Sequence, residues 1–83
     1  MAYTVYILES EITGRYYVGS TGDLADRLER HNQGRSKYTK SGIPWKVVYT
    51  EQFETRAQAV HREQQIKRRK SREYIEDLVR TSR

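Results

Sequence analysis

Glu63 is the residue whose position most clearly indicates a functional role, because it is a carboxylate on the apolar side of a predicted helix. At about 100° per residue, it lies about 60° from Val60 and about 60° from Ile66, between these two apolar side chains. A carboxylate that is buried without a partner costs several kcal/mol of folding free energy. Glu63 therefore requires a cation, either Lys67 at the favourable i, i+4 spacing or a bound metal ion, and each can apply at a different moment.

Arg27 and His31 border the apolar side of an earlier predicted helix. Relative to Leu24, Leu28 lies about 40° to one side, whereas His31 lies about 20° and Arg27 about 60° to the other. The two polar side chains are one turn apart and are expected to converge. The purely structural alternative is an Arg stem along the rim of the core beside a satisfied, buried His.

Tyr6 and Tyr17 occupy corresponding places on two predicted strands, and each is followed by an apolar residue. Residues 3–8 are rich in β-branched and aromatic side chains, and residues 16–19 resume this pattern after a turn at residues 13–15. The sequence therefore predicts a β-hairpin that brings the two tyrosines onto adjacent strands.

The first helix and the third strand are marked by caps and chain breakers. Residues 21–23 have the chemistry of a helix N-cap, and the helix is expected to end near Gln33, before Gly34. The break at residues 42–44 precedes a third predicted strand within residues 45–50.

Two further helices complete the predicted fold. Thr55 is expected to cap a helix from Arg56 to about Lys70, and Ser71 to cap a last short helix with an apolar stripe. The members of that stripe are Tyr74, Ile75, Leu78 and Val79. We expect an α/β fold of order ββαβαα, in which helices flank a small three-stranded, mainly antiparallel sheet.

Composition narrows the class of protein. The chain has 83 residues, of which 35% are hydrophobic, which suits one domain spanning residues 1–83. Its lack of cysteine excludes a disulfide framework, a thiolate nucleophile and a Cys-ligated zinc site. No apolar stretch is long enough for a membrane span and the N-terminus lacks signal-peptide features, so we expect a cytoplasmic protein without a membrane partner.

The net charge of +5 is concentrated in two stretches that contain no acidic residue, residues 30–50 and 64–72. Such stretches suit polyanions, because each neutralised phosphate releases counterions. A solvated basic face is the alternative interpretation. The candidate phosphate contacts are Arg35, Lys37, Lys40, Lys67, Arg68, Arg69 and Lys70.

The tripeptides at residues 4–6 and 17–19, ten residues apart, together with the helix after them, resemble the GIY-YIG nucleases. The resemblance extends to Arg27, ten residues after the second tyrosine, to His31 four residues further on, and to the helical Glu63. It covers nearly the whole chain and implies the GIY-YIG fold.

The length of the chain and residues 59–67, AVHREQQIK, are most similar to small stand-alone bacterial members of that superfamily. Thr4-Val5 replaces the Gly-Ile of the first tripeptide, and Val18 replaces the Ile of the second. Many members use an Asn after the metal-binding helix, whereas the single Asn of this chain, Asn32, lies on the first helix. A supporting polar group of the site is therefore expected to be missing or substituted.

The resemblance implies phosphodiester hydrolysis with one divalent metal, most simply Mg²⁺ with Mn²⁺ as an alternative, held by Glu63. Arg27 would stabilise the negative charge of the transition state from a second side. Tyr6 or Tyr17, with a phenol pKa lowered by nearby cations, or a neutral His31 would act as base. By family analogy, one of the tyrosines orients and activates the water and His31 assists proton transfer. The five residues are expected to converge at one face.

The function that we infer from these features is a metal-dependent endonuclease acting on DNA, with branched, nicked or damaged DNA, and hence DNA repair, as its setting. RNA also fits the phosphate contacts and stacking. A nucleic-acid-binding module with weak or no catalysis is the alternative, and an adaptor for acidic proteins ranks last. A protein partner is a candidate for supplying targeting. Tyr38 and Trp45 are candidates for stacking on an unpaired base, although core packing is favoured for Trp45.

Overall fold

Strands and helices follow one another in the order that the sequence predicts. A computed structural model describes residues 2–35 and 37–81. Its elements are β1 (Tyr3–Ser10), β2 (Tyr16–Thr21), α1 (Leu24–Asn32), a short 3₁₀ helix (Lys40–Gly42), β3 (Trp45–Phe53), α2 (Arg56–Arg69) and α3 (Arg72–Thr81). The predicted order ββαβαα is confirmed.

The sheet is antiparallel and has the strand order β2-β1-β3, so the first strand is central and β2 lies at an edge. In this register Tyr6 of β1 lies opposite Gly19 of β2 on one side and Thr50 of β3 on the other. An irregularity between Ile7 and Leu8 shifts the pairing of β1 with β3. The predicted sheet and hairpin are therefore confirmed.

Alternation along the strands divides the buried side chains between the two faces of the sheet. One face packs against α2 and α3, and its buried core is Val5, Ile7, Val18, Ala59 and Ile66. The other face packs against α1, and its buried core is Tyr6, Leu8 and Trp45. Consecutive residues of β1 therefore serve different cores, and Tyr6 lies on the α1 face.

Side-chain caps fix where the helices begin, as the sequence predicts. Asp23 accepts a hydrogen bond from the backbone N–H of Asp26 at 3.1 Å, and Thr55 forms a reciprocal capping box with Gln58. Ser71 accepts from the backbone N–H of Tyr74 at 3.1 Å. Among residues 2–35 and 37–81, no helix combines the length and apolar character that crossing a lipid bilayer requires.

Asn32, at the end of α1, ties that helix to the start of β3. Its side-chain amide donates to the backbone carbonyl of Trp45 at 3.1 Å and accepts from the backbone N–H of the same residue at 2.7 Å. The Trp45 indole is buried and donates to the backbone carbonyl of Thr39 at 2.7 Å. The prediction that Trp45 packs in the core is confirmed, and Asn32 has a structural role.

Candidate active site

Tyr6, Tyr17 and His31 pack together on the α1 face of the sheet, and we call these three residues the aromatic cluster. The Tyr17 and His31 rings meet edge to face with centroids 4.7 Å apart, and the Tyr6 and Tyr17 centroids are 6.3 Å apart. The Tyr6 hydroxyl lies 3.4 Å from Nε2 of His31. The hairpin and the first helix thus bring together three of the five predicted catalytic residues.

The His31 ring is held from both sides, since Nδ1 lies 2.8 Å from the Thr39 hydroxyl and Nε2 faces Tyr6. His31 is only 3% exposed. Burial, and secondarily the positive charge of Arg27, lower the pKa of His31 below its usual 6.5. The imidazole is therefore neutral at neutral pH.

Gly19 makes the position of Tyr6 possible. A Cβ atom at Gly19 would lie 2.5 Å from the Tyr6 hydroxyl and 3.2 Å from Cε1 of Tyr17. Because real Cβ atoms do not approach other atoms so closely, the absence of a side chain lets the Tyr6 ring lie across β2. The glycine of the second tripeptide therefore has a steric function in the cluster.

The two tyrosines differ in environment. Tyr6 is 1% exposed, whereas Tyr17 is half-buried. Burial raises the pKa of Tyr6 well above its usual value, and the charge of Arg27 only partly opposes this. The expectation that nearby cations lower the phenol pKa is therefore wrong for Tyr6 in the protein itself, because desolvation outweighs them.

Glu63 points inward from α2, as its helical position predicts, and its side chain is 14% exposed. The Ser20 hydroxyl donates to Oε1 at 2.6 Å, and the Lys67 ammonium donates to Oε2 at 2.6 Å. Both carboxylate oxygens are therefore engaged. The structure confirms Lys67 as the partner of Glu63.

Ser20, Arg27, Arg56 and Glu63 line one cleft of about 390 Å³, which we call the charged cleft. Arg27 comes from α1, Arg56 and Glu63 from α2, and Ser20 from the edge strand β2. Both arginines are exposed, and neither guanidinium forms an ion pair within residues 2–35 and 37–81. Val60, 38% exposed, also lines the cleft.

Two of the predicted catalytic residues, Tyr6 and Glu63, approach the edge strand β2 from different faces of the sheet. Tyr6 lies on the α1 face, whereas Ser20 contacts Glu63 on the α2 face, and Gly19 and Ser20 are neighbours on β2. The positive charge of Arg27 lowers the pKa of Tyr6, and the negative charge of Glu63 raises it. The aromatic cluster and the charged cleft are thus adjacent across the edge strand, which no helix-by-helix calculation predicts.

The charged cleft suits a hard divalent cation bound through one protein carboxylate. Mg²⁺ in nucleotide-processing sites keeps several waters and binds through one or two carboxylates and substrate phosphates. Glu63 supplies such a carboxylate, and Ser20 adds an oxygen beside it. In the part of the chain that the structure describes, the charged cleft included, no three His, Cys, Asp or Glu side chains form a group that could hold a metal ion.

A second cleft, of about 560 Å³, passes the half-buried Tyr17, and we call it the basic groove. Two of the predicted phosphate contacts, Lys67 and Lys70, line it. Arg15 and Arg72 also line it; neither is among the predicted phosphate contacts, although Arg72 belongs to the basic stretch 64–72. Its exposed aromatic residue is Tyr38, which is 88% exposed.

The remaining predicted phosphate contacts do not line this groove. Arg35, Lys37 and Lys40 are exposed in the segment after α1. On α2, Arg68 is exposed, and the Arg69 guanidinium lies 4.5 Å from the centre of a neighbouring tyrosine ring. These residues are available to solvent, but they are spread over two regions.

Three residues of the site were not singled out from the sequence. Arg56 has a sequence signal, because it precedes Glu63 by seven residues, or about two helical turns. The sequence signal for Ser20 is weaker: it lies two residues after the buried Val18, so the two side chains project from the same face of β2. Thr39 lies in an irregular segment, where no periodicity indicates that it contacts His31.

Comparisons with known proteins agree with this architecture. The family model described as "GIY-YIG catalytic domain" matches residues 2–75. A UPF0213 protein of Streptococcus pneumoniae is 39% identical over 67 residues, which are 80% of this chain and 67% of that protein. A UPF0213 protein of Staphylococcus aureus is 42% identical over 64 residues, 76% of this chain and 77% of the relative.

A solved structure shows the same fold. The solution NMR structure of a UPF0213 protein from Bacillus halodurans matches with a TM-score of 0.61 and 35% identity, covering 98% of this chain and 85% of that one. The family match, the relatives and the solved structure agree with one another. The chain therefore belongs to the GIY-YIG family, a nuclease superfamily, and resembles its small UPF0213 members.

Proposed function

We propose that this protein is a metal-dependent endonuclease that hydrolyses phosphodiester bonds in DNA, with nicked, branched or damaged DNA as its substrate. The observation that carries the proposal is that one cleft is lined by Glu63, a largely buried carboxylate, and by Arg27, whose guanidinium has no ion-pair partner among the described residues. A phosphodiester transition state gathers negative charge on its oxygens. A carboxylate-held cation and a guanidinium are the groups that stabilise such charge.

Glu63 is the residue that would hold the metal, with Mg²⁺ the first candidate and Mn²⁺ the second. GIY-YIG nucleases are generally dependent on a divalent metal. When bound, the ion would supply positive charge to the phosphate oxygens and to the leaving group. Ser20 would keep the carboxylate oriented, because its hydroxyl donates to Oε1.

Arg27 would bind a non-bridging oxygen of the scissile phosphate. Its guanidinium is exposed in the charged cleft, and its charge is permanent at every physiological pH. As the water attacks phosphorus, negative charge grows on the non-bridging oxygen that Arg27 would contact. Arg27 therefore acts more strongly on the transition state than on the bound substrate.

Tyr17 is the tyrosine best placed to meet the attacking water, since it is half-buried while Tyr6 is 1% exposed. Its hydroxyl would orient the water for attack on phosphorus. Tyr6, whose pKa burial raises, stays protonated and holds the cluster together beside His31. The neutral imidazole of His31, whose Nε2 faces the Tyr6 hydroxyl, would assist the proton transfer through that hydroxyl.

The nucleic acid would approach along the basic groove, where Lys67 and Lys70 contact phosphates without reading sequence. Tyr38 is available to stack on an exposed base, because its side chain is 88% exposed. The segment with Arg35, Lys37 and Lys40 would add longer-range attraction. RNA offers the same phosphates, so the substrate test includes it.

A non-catalytic nucleic-acid-binding module is the second candidate, and one observation favours it. Asn32 uses its side-chain amide to bind the backbone of Trp45, so it does not replace the Asn that many family members place near the site. A module that lacks that supporting group would keep the basic groove and bind DNA without cutting it.

The test is cleavage of labelled single-stranded, duplex, nicked and branched DNA and of RNA, with Mg²⁺ or with EDTA. We expect wild type to cut with Mg²⁺ and Glu63→Gln to lose at least about 10²-fold in rate, because the variant removes the metal ligand. Glu73→Gln, an exposed carboxylate on α3, is the matched control and keeps the wild-type rate. Salt-dependent binding without cutting by any of the three proteins would instead support the binding module.

A further inference from the structure

We propose that Arg56 binds a second phosphate of the substrate backbone, next to the phosphate at which the bond is broken. The inference rests on the proposed function and deepens it by adding a substrate subsite to the charged cleft. Arg56 is the first residue of α2 and lines the same cleft as Arg27 and Glu63. It would thus extend the site along the nucleic-acid strand.

The placement of Arg56 follows from helix geometry. Seven residues are about two turns of an α-helix, so Arg56 and Glu63 project from the same side of α2. Val60, between them, is exposed and lines the cleft as well. Arg56 and Glu63 therefore line the same cleft about two helical turns apart, so each could face a different phosphate of one strand.

The electrostatics of this helix start favour an anion. Arg56 forms no ion pair within the described residues, and the first turn of α2 contains no acidic residue. The start of a helix carries partial positive charge, so a cationic side chain there is slightly unfavourable and an anion beside it is favoured. A substrate phosphate would receive the Arg56 guanidinium and the field of the helix together.

Arg56 would act in substrate binding rather than in bond breaking. Arg27 faces the reacting phosphate, whereas the phosphate at Arg56 does not change its charge during the reaction. Loss of Arg56 should therefore raise KM and leave kcat nearly unchanged, because the contact is equally strong in the ground state and the transition state.

The experiment compares Arg56→Ala, Arg56→Lys and the control Arg30→Ala, which removes another exposed arginine, one that is paired with Asp26 on α1. Binding of a labelled DNA is measured at several salt concentrations in the Glu63→Gln background, and KM and kcat are measured in the wild-type background. We expect Arg56→Ala to weaken binding about tenfold at low salt and to reduce the salt slope by about one. Arg56→Lys should restore the slope and part of the affinity.

Each result decides for or against the subsite. Binding and KM of Arg56→Ala equal to those of Arg30→Ala would overturn it, as would a fall in kcat with unchanged KM. If wild type cuts no substrate but Arg56→Ala still loses affinity and salt slope, the subsite stands and the nuclease proposal fails. If wild type cuts normally and Arg56→Ala matches the control, only the subsite fails.

Discussion

The aromatic cluster and the charged cleft lie on opposite sides of β2 and are built on different principles. In the cluster, Tyr6 is 1% and His31 3% exposed, and each has a polar partner within the protein. In the cleft, Arg27 and Arg56 are exposed, with no ion-pair partner among residues 2–35 and 37–81. The polar groups of the first region are paired by folding, whereas under the proposed function those of the second are paired by a bound anion.

Under the proposed function, this difference explains how a small domain could hold reacting groups in place and still bind a charged polymer. Groups whose position must be precise are held in place by burial, by hydrogen bonds and by the glycine beneath Tyr6, Gly19. Groups that must meet phosphate keep their charge available in solvent. Substitutions in the cluster should therefore affect turnover and stability, whereas those in the cleft should affect the binding of ions and substrate.

Tyr17→Phe should produce the largest effect and tests the cluster directly. We expect kcat to fall about 10²-fold or more with little change in KM, because the hydroxyl acts on the water and not on the bound DNA. Steady-state rates with the preferred substrate measure this. Tyr6→Phe, which removes a hydroxyl from a buried site, should lower kcat less, and the reverse ranking would assign the water to Tyr6.

Gly19→Ala should have the next largest effect, and on folding rather than on chemistry alone. The new Cβ would lie 2.5 Å from the Tyr6 hydroxyl, so the ring or the strand must move. We expect a loss of about 1–3 kcal/mol in the free energy of unfolding, the usual cost of overpacking. Urea unfolding followed by circular dichroism measures this loss.

The control for Gly19→Ala is Gly22→Ala, whose Cβ would be 3.5 Å from the Tyr3 ring, an ordinary contact. Equal stabilities would contradict the steric role of Gly19.

Lys67→Met should have the smallest effect and tests the cleft. The Lys67 ammonium now lies 2.6 Å from Oε2 of Glu63 and competes with any metal for that oxygen. Its removal should tighten Mn²⁺ binding several-fold, since a partly exposed ion pair is worth at most about 1 kcal/mol. Titration calorimetry at fixed ionic strength measures the dissociation constant. Lys70→Met, an exposed lysine one turn further on, is the control, and equal constants for both variants would argue against Glu63 as the ligand.

The elements of the fold could be predicted from the sequence because they depend on local patterns. The caps Asp23, Thr55 and Ser71 form the predicted hydrogen bonds, and the strands begin and end near the predicted turns. The inward direction of Glu63 was also predictable, since helical periodicity alone determines it. Such local patterns can be interpreted without knowing which side chains the neighbouring helix or strand places opposite them.

The partners of the site residues were harder to predict because they come from distant parts of the chain. Ser20 reaches Glu63 only because β2 lies beneath α2, and Thr39 reaches His31 from an irregular segment. The raised pKa of Tyr6 depends on how completely the two strands and α1 exclude water. The sequence indicates which groups are present, but desolvation depends on the assembled packing.

Asn32 also has a consequence for how the protein behaves at high concentration. Its amide occupies the N–H and the carbonyl of Trp45, backbone groups at the start of β3, which is an edge strand of the sheet. Free groups of this kind are the template on which a strand of another molecule adds. The side chain that ties α1 to the sheet thus also blocks one position where aggregation through edge pairing would begin.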